Sequence, residues 1–97
     1  MTRSEALNRL GALLPEARSR FGVAAISLFG SVARDEATDQ SDLDVLVDFA
    51  GPATFANFMG LKLYLEDSLG VRVDLVTRRA LRPRMRDRIE SEALRVA

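Results

Sequence analysis

Apolar and polar residues alternate with a period of two between Asp42 and Phe49. The odd positions are all apolar, whereas three of the four even positions are aspartates, namely Asp42, Asp44 and Asp48. Alternation of this kind is typical of a strand that buries one face. We therefore expect a strand with Asp42 and Asp44 on the same face, roughly 6–7 Å apart at about 3.3 Å of rise per residue.

Two other apolar runs predict strands on either side of this one in the sequence. Residues 24–29 are short and apolar enough to form a central strand, which would be the first. Residues 71–76 would form the third strand, with Asp74 on the face opposite Val73 and Leu75. We expect the third strand to pair beside the second.

The first helix is predicted from apolar residues that recur every three or four positions near the start of the chain. These residues are Leu7, Leu10, Leu14, Ala17 and Phe21. Thr2 and Glu5 have the spacing of a capping box at its start, and Gly22 ends it. Pro15 disfavours helical geometry at the preceding residue, so we expect the helix to be either kinked or divided there.

Two later helices follow a similar pattern. Thr54 is a suitable cap for a helix over residues 55–69, inside which Gly60 indicates close packing. A last helix is predicted to begin near Leu81, with Pro83 in its first turn. Its inward face would carry the residues that recur every four positions, which are Leu81, Met85, Ile89 and Ala93. This order of elements predicts a two-layer fold of the α/β (α+β) class.

The composition is that of one ordinary globular domain spanning residues 1–97. A chain that is 47% hydrophobic and 29% charged at this length supports a single core and no second module. Cysteine and histidine are both absent, which argues against disulfides, thiolate chemistry, a zinc site and a histidine-based catalytic triad. The first 14 residues lack the pattern of a signal peptide, so we expect a cytoplasmic protein with no membrane partner.

Charge is unevenly distributed although the formal net charge is zero. Residues 35–48 contain six acids and no base, whereas residues 78–95 contain seven arginines. The arginines of the last helix are either a solvated face or a patch for an acidic partner or nucleic acid. No aromatic residues are interleaved with them, which makes nucleic acid the weaker hypothesis.

Gly30 and Ser31 follow the first strand where a helix-competent piece, residues 32–37, is about to begin. Glycine permits a sharp turn and a close approach of the backbone to a ligand, and serine is a good N-cap. The free amide groups at the start of a helix bind anions. A Gly-Ser pair taken alone, however, is more often a plain turn.

Asp42 and Asp44 repel one another when both are ionised, and aspartate is disfavoured in strands. A hard divalent cation such as Mg²⁺, held by carboxylate oxygens, would compensate them. The alternative interpretation is a solvated strand face that happens to be acidic. An acid pair about a dozen residues after a phosphate-binding turn favours the first interpretation and predicts a nucleoside triphosphate site.

Three further charged residues are candidates for this site. Asp74 would supply the third carboxylate that two-metal sites commonly use, either as a metal ligand or as acceptor of the proton from an attacking hydroxyl. Arg34 would either reach a phosphate or pair with a nearby acid. Asp48 lies about 13 Å along the strand from Asp44 at the same rise per residue, so we expect it to be a surface charge.

The Gly30-Ser31 pair followed by Asp42-x-Asp44 resembles the signature of the polymerase-β-type nucleotidyltransferases. A longer resemblance, to the minimal nucleotidyltransferase (MNT) subgroup, covers nearly the whole chain. It rests on residues 28–34, 41–44, 73–76 and 81–83. The combined pattern is specific, whereas either short motif alone would be weak.

The resemblance implies the nucleotidyltransferase palm, a small mixed β-sheet backed by helices. It also implies ATP as the substrate and Mg²⁺, as two ions, with Asp42, Asp44 and Asp74 as catalytic residues and metal ligands and Gly30, Ser31 and Arg34 as nucleotide contacts. Proteins of the MNT subgroup are typically antitoxins that transfer AMP to a tyrosine of a HEPN-domain ribonuclease toxin. We therefore expect a HEPN-type toxin as the partner.

Two alternatives stay open at this level. The protein would be an antitoxin that blocks its partner sterically without chemistry, or it would modify a small molecule such as an aminoglycoside. The intact acid set argues against the first, and the lack of an acceptor-binding domain argues against the second. The sequence departs from the subgroup at Asp35, where glycine is frequent, and at Arg95, where an aromatic residue is frequent. These departures concern the phosphate loop and the tail rather than the acids.

Overall fold

The structure, a computed structural model, describes residues 1–96. In chain order its elements are α1 (Arg3–Phe21), β1 (Val23–Phe29), α2 (Gly30–Ala33), β2 (Leu43–Phe49), α3 (Phe55–Leu69), β3 (Val73–Thr77), a 3₁₀ turn (Arg78–Ala80), α4 (Pro83–Glu92) and β4 (Leu94–Arg95). The predicted α/β (α+β) two-layer class is confirmed. None of the helices within these residues is long and apolar enough to cross a membrane. The single-domain assignment and the cytoplasmic location stay predictions.

The strands form one mixed sheet in the order β3-β2-β1-β4. β1 runs antiparallel to β2 and β4, whereas β2 and β3 are parallel, with Asp44 in register with Asp74. The sequence pattern did not predict β4, in which Arg95 pairs with Ser27 of β1 and which is followed by the buried Val96. A strand of two residues is too short to leave a periodic signal.

One face of the sheet packs against α1 and α3. Val45 of β2 is fully buried there with Leu10 of α1 and Leu61 of α3. Gly60 permits this packing because a Cβ at that position would lie 2.7 Å from the Phe21 ring. The close packing expected at Gly60 is confirmed.

Local contacts set the ends of the two long helices. Thr2 accepts a hydrogen bond from the N–H of Glu5 at 3.1 Å, and Thr54 accepts one from the N–H of Asn57 at 3.0 Å. Gly22 ends α1 in the left-handed region, at φ 69°. The predicted starts of both helices and the end of the first are confirmed.

Pro15 lies inside α1, which is a single helix. The possibility that the chain divides into two helices at this residue is therefore wrong. A proline in a helix interior costs about 3 kcal/mol, but Leu14 and Ala17 on either side are buried in the core. Tertiary packing of both halves outweighs the local preference.

α4 contacts the other face of the sheet through one turn. Its buried residue is Ile89, which packs with Leu46 of β2 and with Leu81. Met85 is 51% exposed, so its predicted inward position is wrong. Because α4 meets the sheet at one turn, residues of the same stripe on its other turns stay in solvent. The arginines of this helix are exposed, as the sequence predicts.

Candidate active site

The three predicted site aspartates lie at the same end of β2 and β3. Asp42 precedes β2 by one residue, and Asp44 and Asp74 are each the second residue of their strands. Because the two strands are parallel and in register, Asp44 and Asp74 project from the same face of strands about 4.8 Å apart. Asp44 is half-buried, whereas Asp42 and Asp74 are exposed. Parallel pairing thus gathers carboxyl groups from distant parts of the chain.

Crowding changes the acidity of Asp44. The pKa of Asp44 is raised from 3.8 to about 6, first by burial and then by the negative charges of Asp74 and Asp42. A hydrogen bond with Asp74 favours the protonated form as well, while the positive charge of Arg34 lowers the pKa. A carboxyl group in such surroundings gains strongly from a nearby cation, which restores its ionised form.

Gly30 connects β1 to α2 beside Asp44. Its φ is 74°, in the left-handed region that glycine adopts readily. A Cβ at this position would lie 2.8 Å from Cγ of Asp44. Both the backbone conformation and the contact therefore require glycine, which lets the backbone approach the carboxyl group.

Ser31 lies inside α2 rather than at its cap. The N-cap is Phe29, whose side chain makes no capping hydrogen bond, so the predicted N-cap role of Ser31 is wrong. The helix begins at Gly30 and is shorter than the predicted piece, residues 32–37, because Asp35 adopts φ 59° and stops it. Aspartate enters this left-handed region more readily than most residues.

Comparison with known proteins agrees with this arrangement. The family model for the nucleotidyltransferase domain matches residues 10–96. The chain belongs to this family. It is 45% identical over 82 residues to the protein adenylyltransferase MntA of Thermococcus cleftensis, and the alignment covers 84% of this chain and 83% of the relative.

Solved structures share the fold of this nucleotidyltransferase. A chain described as a candidate minimal nucleotidyltransferase matches with a TM-score of 0.82 and 42% identity, over 97% of this chain and 95% of the other. A complex of a tri-AMPylated HEPN toxin from Shewanella oneidensis with its MNT antitoxin contains a chain that matches with a TM-score of 0.70 and 21% identity, over 99% and 72%. At that lower identity the likeness shows the fold alone. The resemblance to minimal nucleotidyltransferases is confirmed, as is the enzyme class.

The acids of the nucleotidyltransferase offer the oxygen ligands that Mg²⁺ prefers. One of them, Asp42, is paired with Arg72, whose Nε lies 3.2 Å from its Oδ1. Residues 1–96 contain no cluster of three donors arranged to hold a metal. The Arg72 side chain is 80% exposed, so its ion pair is weak. Asp42, Asp44 and Asp74 therefore supply donor atoms of the right chemistry for a cation, and only a weak surface ion pair competes for Asp42.

Arg34 pairs with two acids. Its Nε lies 3.2 Å from Oε2 of Glu36, and its Nη1 lies 3.2 Å from Oε1 of Glu92. Glu92 also accepts a hydrogen bond from the N–H of Gly30 at 3.2 Å. Of the two predicted roles of Arg34, pairing with an acid is the one observed. Glu92 has no motif signal in the sequence, since only the fold brings the end of α4 to the end of β1.

Asp48 lies toward the other end of β2. Nε and Nη2 of Arg78 donate to its two carboxylate oxygens at 3.1 and 3.2 Å, and Nη1 of Arg78 donates to Glu90 at 2.7 Å. Asp48 thus lies apart from the three site acids, and its side chain is 35% exposed, which agrees with the expected surface charge. The sequence did not predict its ion pair, which forms because the 3₁₀ turn after β3 brings Arg78 to this residue. A cavity of about 290 Å³ lies here, lined by Asp48, Thr77, Arg78 and several apolar residues. None of the predicted site acids lines it, so the candidate site is the Asp44 end of the strands and not this cavity.

Proposed function

We propose that this nucleotidyltransferase is an Mg²⁺-dependent protein adenylyltransferase that transfers AMP from ATP to a tyrosine hydroxyl of a HEPN-type toxin and thereby acts as an antitoxin. The observation that carries the proposal is the register of Asp44 with Asp74 beside the close approach of Gly30. The 45% sequence identity to the adenylyltransferase MntA, which extends over most of both chains, supports the transfer of AMP. The tri-AMPylated toxin in the Shewanella oneidensis complex supports the class of partner.

The carboxyl groups have separate tasks in this proposal. Asp42 and Asp44 would hold Mg²⁺, as two ions, with Asp74 as a further ligand. When bound, Mg²⁺ would supply positive charge that neutralises the phosphate oxygens and the leaving pyrophosphate. Asp74 is exposed, so it is also accessible to accept the proton of an incoming hydroxyl.

Gly30, Ser31 and Arg34 would contact the phosphates. The missing side chain of Gly30 lets a ligand approach the backbone beside Asp44, and the Arg34 guanidinium is close enough to influence the pKa of that acid. Its charge would stabilise the negative charge that develops on the phosphate oxygens. The acceptor oxygen then bonds to the α-phosphorus as the bond to the β-phosphate oxygen breaks.

Intact-mass analysis tests the proposal. The purified protein is incubated with Mg²⁺, ATP and its co-encoded partner, and the masses of both chains are measured. We expect the partner to gain one or more AMP units, and Asp42→Ala/Asp44→Ala to abolish the gain. A matched control removes two exposed acids elsewhere, as Asp67→Ala/Asp87→Ala, and should retain it.

One observation favours a second candidate, the non-catalytic antitoxin. Arg34 and the amide of Gly30 are engaged by Glu92, and Asp42 is engaged by Arg72. In that case the partner would be bound and neutralised with no change of mass. The Asp42→Ala/Asp44→Ala variant would then neutralise as well as the parent protein, which would contradict the adenylyltransferase.

A further inference from the structure

Glu92, the last residue of α4, lies against the proposed phosphate contacts. Its Oε1 accepts hydrogen bonds from the Gly30 N–H at 3.2 Å and from Nη1 of Arg34 at 3.2 Å. Its Oε2 lies 3.3 Å from the same Arg34 nitrogen. The Glu92 side chain is 24% exposed, so this carboxylate is partly desolvated between the two donors. The Gly30 amide and the Arg34 guanidinium therefore both donate to the same carboxylate, that of Glu92.

The same two donors suit a phosphate group. Backbone N–H groups and arginine are the usual partners of phosphate oxygens, and each bond to an ionised acceptor is stronger than a neutral one. A carboxylate and a phosphate oxygen cannot take the same N–H direction at once. Gly30 has no alternative donor to offer, because it carries a single N–H and no side chain.

The segment that carries Glu92 is anchored on both sides of this residue. After Glu92, β4 pairs with β1, and the Val96 N–H donates to the Ile26 carbonyl at 2.8 Å. Before it, Ile89 is the buried residue of α4, and Glu90 accepts a hydrogen bond from Nη1 of Arg78 at 2.7 Å. Rotation of the Glu92 side chain is therefore enough to free Gly30 and Arg34, while Ile89 and β4 stay in place.

We propose that Glu92 is an internal competitor of the nucleotide, a carboxylate that occupies the Gly30 amide and Arg34 and must be displaced before the triphosphate of ATP binds. This inference rests on the proposed function, because it concerns the same phosphate contacts. If only a fraction of the protein molecules is in a conformation that can bind a ligand, the apparent affinity for that ligand is reduced by the same fraction. Glu92 thus sets the nucleotide affinity of the isolated chain, and anything that draws α4 away raises it.

Glu36 provides a matched control. It pairs with the same arginine at the same distance of 3.2 Å, through Nε, and has the same charge. Its contact with Arg34 is not shared with the Gly30 amide, which donates to Glu92. Glu36→Gln therefore reproduces the loss of a negative charge next to Arg34 without freeing Gly30.

The test is a calorimetric titration of Mg²⁺-ATP into the parent protein, Glu92→Gln, Glu92→Ala and Glu36→Gln. We expect the two Glu92 variants to bind roughly tenfold more tightly, the effect of weakening or removing one charge-assisted contact, and Glu36→Gln to change by less than about threefold. Hydrogen exchange gives a second readout. Nucleotide should speed exchange in residues 83–93 of the parent protein, because Glu92 no longer ties α4 to Gly30.

The outcomes separate this inference from the function on which it rests. Binding by the parent protein with equal or weaker binding by both Glu92 variants would overturn the inference alone, since Glu92 would then position Arg34 for the nucleotide. Equal tightening in Glu36→Gln and Glu92→Gln would also overturn it, in favour of general charge repulsion. Failure of every variant to bind nucleotide would overturn both the inference and the proposed function. Thermal melting of each variant confirms that it is folded.

Discussion

Asp44 lies opposite Asp74 on the neighbouring parallel strand, and partial burial together with the negative charge of Asp74 makes the carboxyl group of Asp44 harder to ionise. The pKa of Asp44 is about 6 in the folded protein, against an ordinary value of 3.8. The folded protein therefore binds this proton more tightly than the unfolded chain does. The resulting stabilisation is fully present below pH 3.8 and is lost as the pH rises through about 6.

Asp44→Asn should remove this pH-dependent loss of stability. At about pH 7.5 we expect the variant to be more stable than the parent by about 1–2 kcal/mol, after a discount for solvent screening of a half-buried group. The difference should shrink toward zero near about pH 4, where the parent also has a neutral Asp44. Urea unfolding at both pH values measures it, with the exposed Asp67→Asn as control. A variant that is less stable than the parent at the higher pH would contradict the assignment.

Mg²⁺ should stabilise the parent protein at neutral pH because it offsets the repulsion among the acids. At a concentration about tenfold above the dissociation constant, the gain in the free energy of unfolding is roughly 1.4 kcal/mol. Asp44→Asn and Asp74→Asn should lose most of this gain. NaCl at matched ionic strength is the control, since screening alone also relaxes repulsion between charges. An equal effect of Mg²⁺ on the parent and on Asp44→Asn would argue against a metal site.

Gly30→Ala should both destabilise the protein and prevent nucleotide binding. The added methyl group meets the Asp44 side chain, and alanine is strained at φ 74°. We expect a loss of at least about 2 kcal/mol in the free energy of unfolding. Gly51→Ala is a suitable control because nothing lies within 4 Å of the position that its methyl group would occupy. That control should change stability by no more than about 0.5 kcal/mol.

Asp35 combines an unfavourable backbone conformation with a useful contact. Its carboxylate accepts a hydrogen bond at 3.0 Å from the N–H of Arg3, in the first turn of α1. Asp35→Ala should cost about 1–2 kcal/mol, because alanine loses this contact and tolerates φ 59° poorly. Asp35→Asn keeps an oxygen acceptor and enters the left-handed region readily, so it should stay within about 0.5 kcal/mol of the parent. Thermal or urea unfolding compares the two, and equal losses would show that the contact and the conformation are unimportant here.

The sequence by itself determined the features that depend on neighbouring residues. Thr2 and Thr54 cap their helices through residues three positions away, and Gly22 ends α1 where the pattern predicts. The alternation around Asp44 likewise follows from the geometry of a single strand. These interactions join residues that are close in sequence, so they can be predicted without knowing the path of the chain.

Only the tertiary structure decided which distant groups meet. The register of Asp44 with Asp74 and the contact of Glu92 with Gly30 join segments that are far apart in sequence. The same holds for the pairing of Asp42 with Arg72 and for the exposure of Met85. Each depends on how strands pair and where α4 crosses the sheet, and short-range patterns carry no information about such distances. The acids are therefore predictable from the sequence, whereas the contact of Glu92 with Gly30 and Arg34 is a property of the fold.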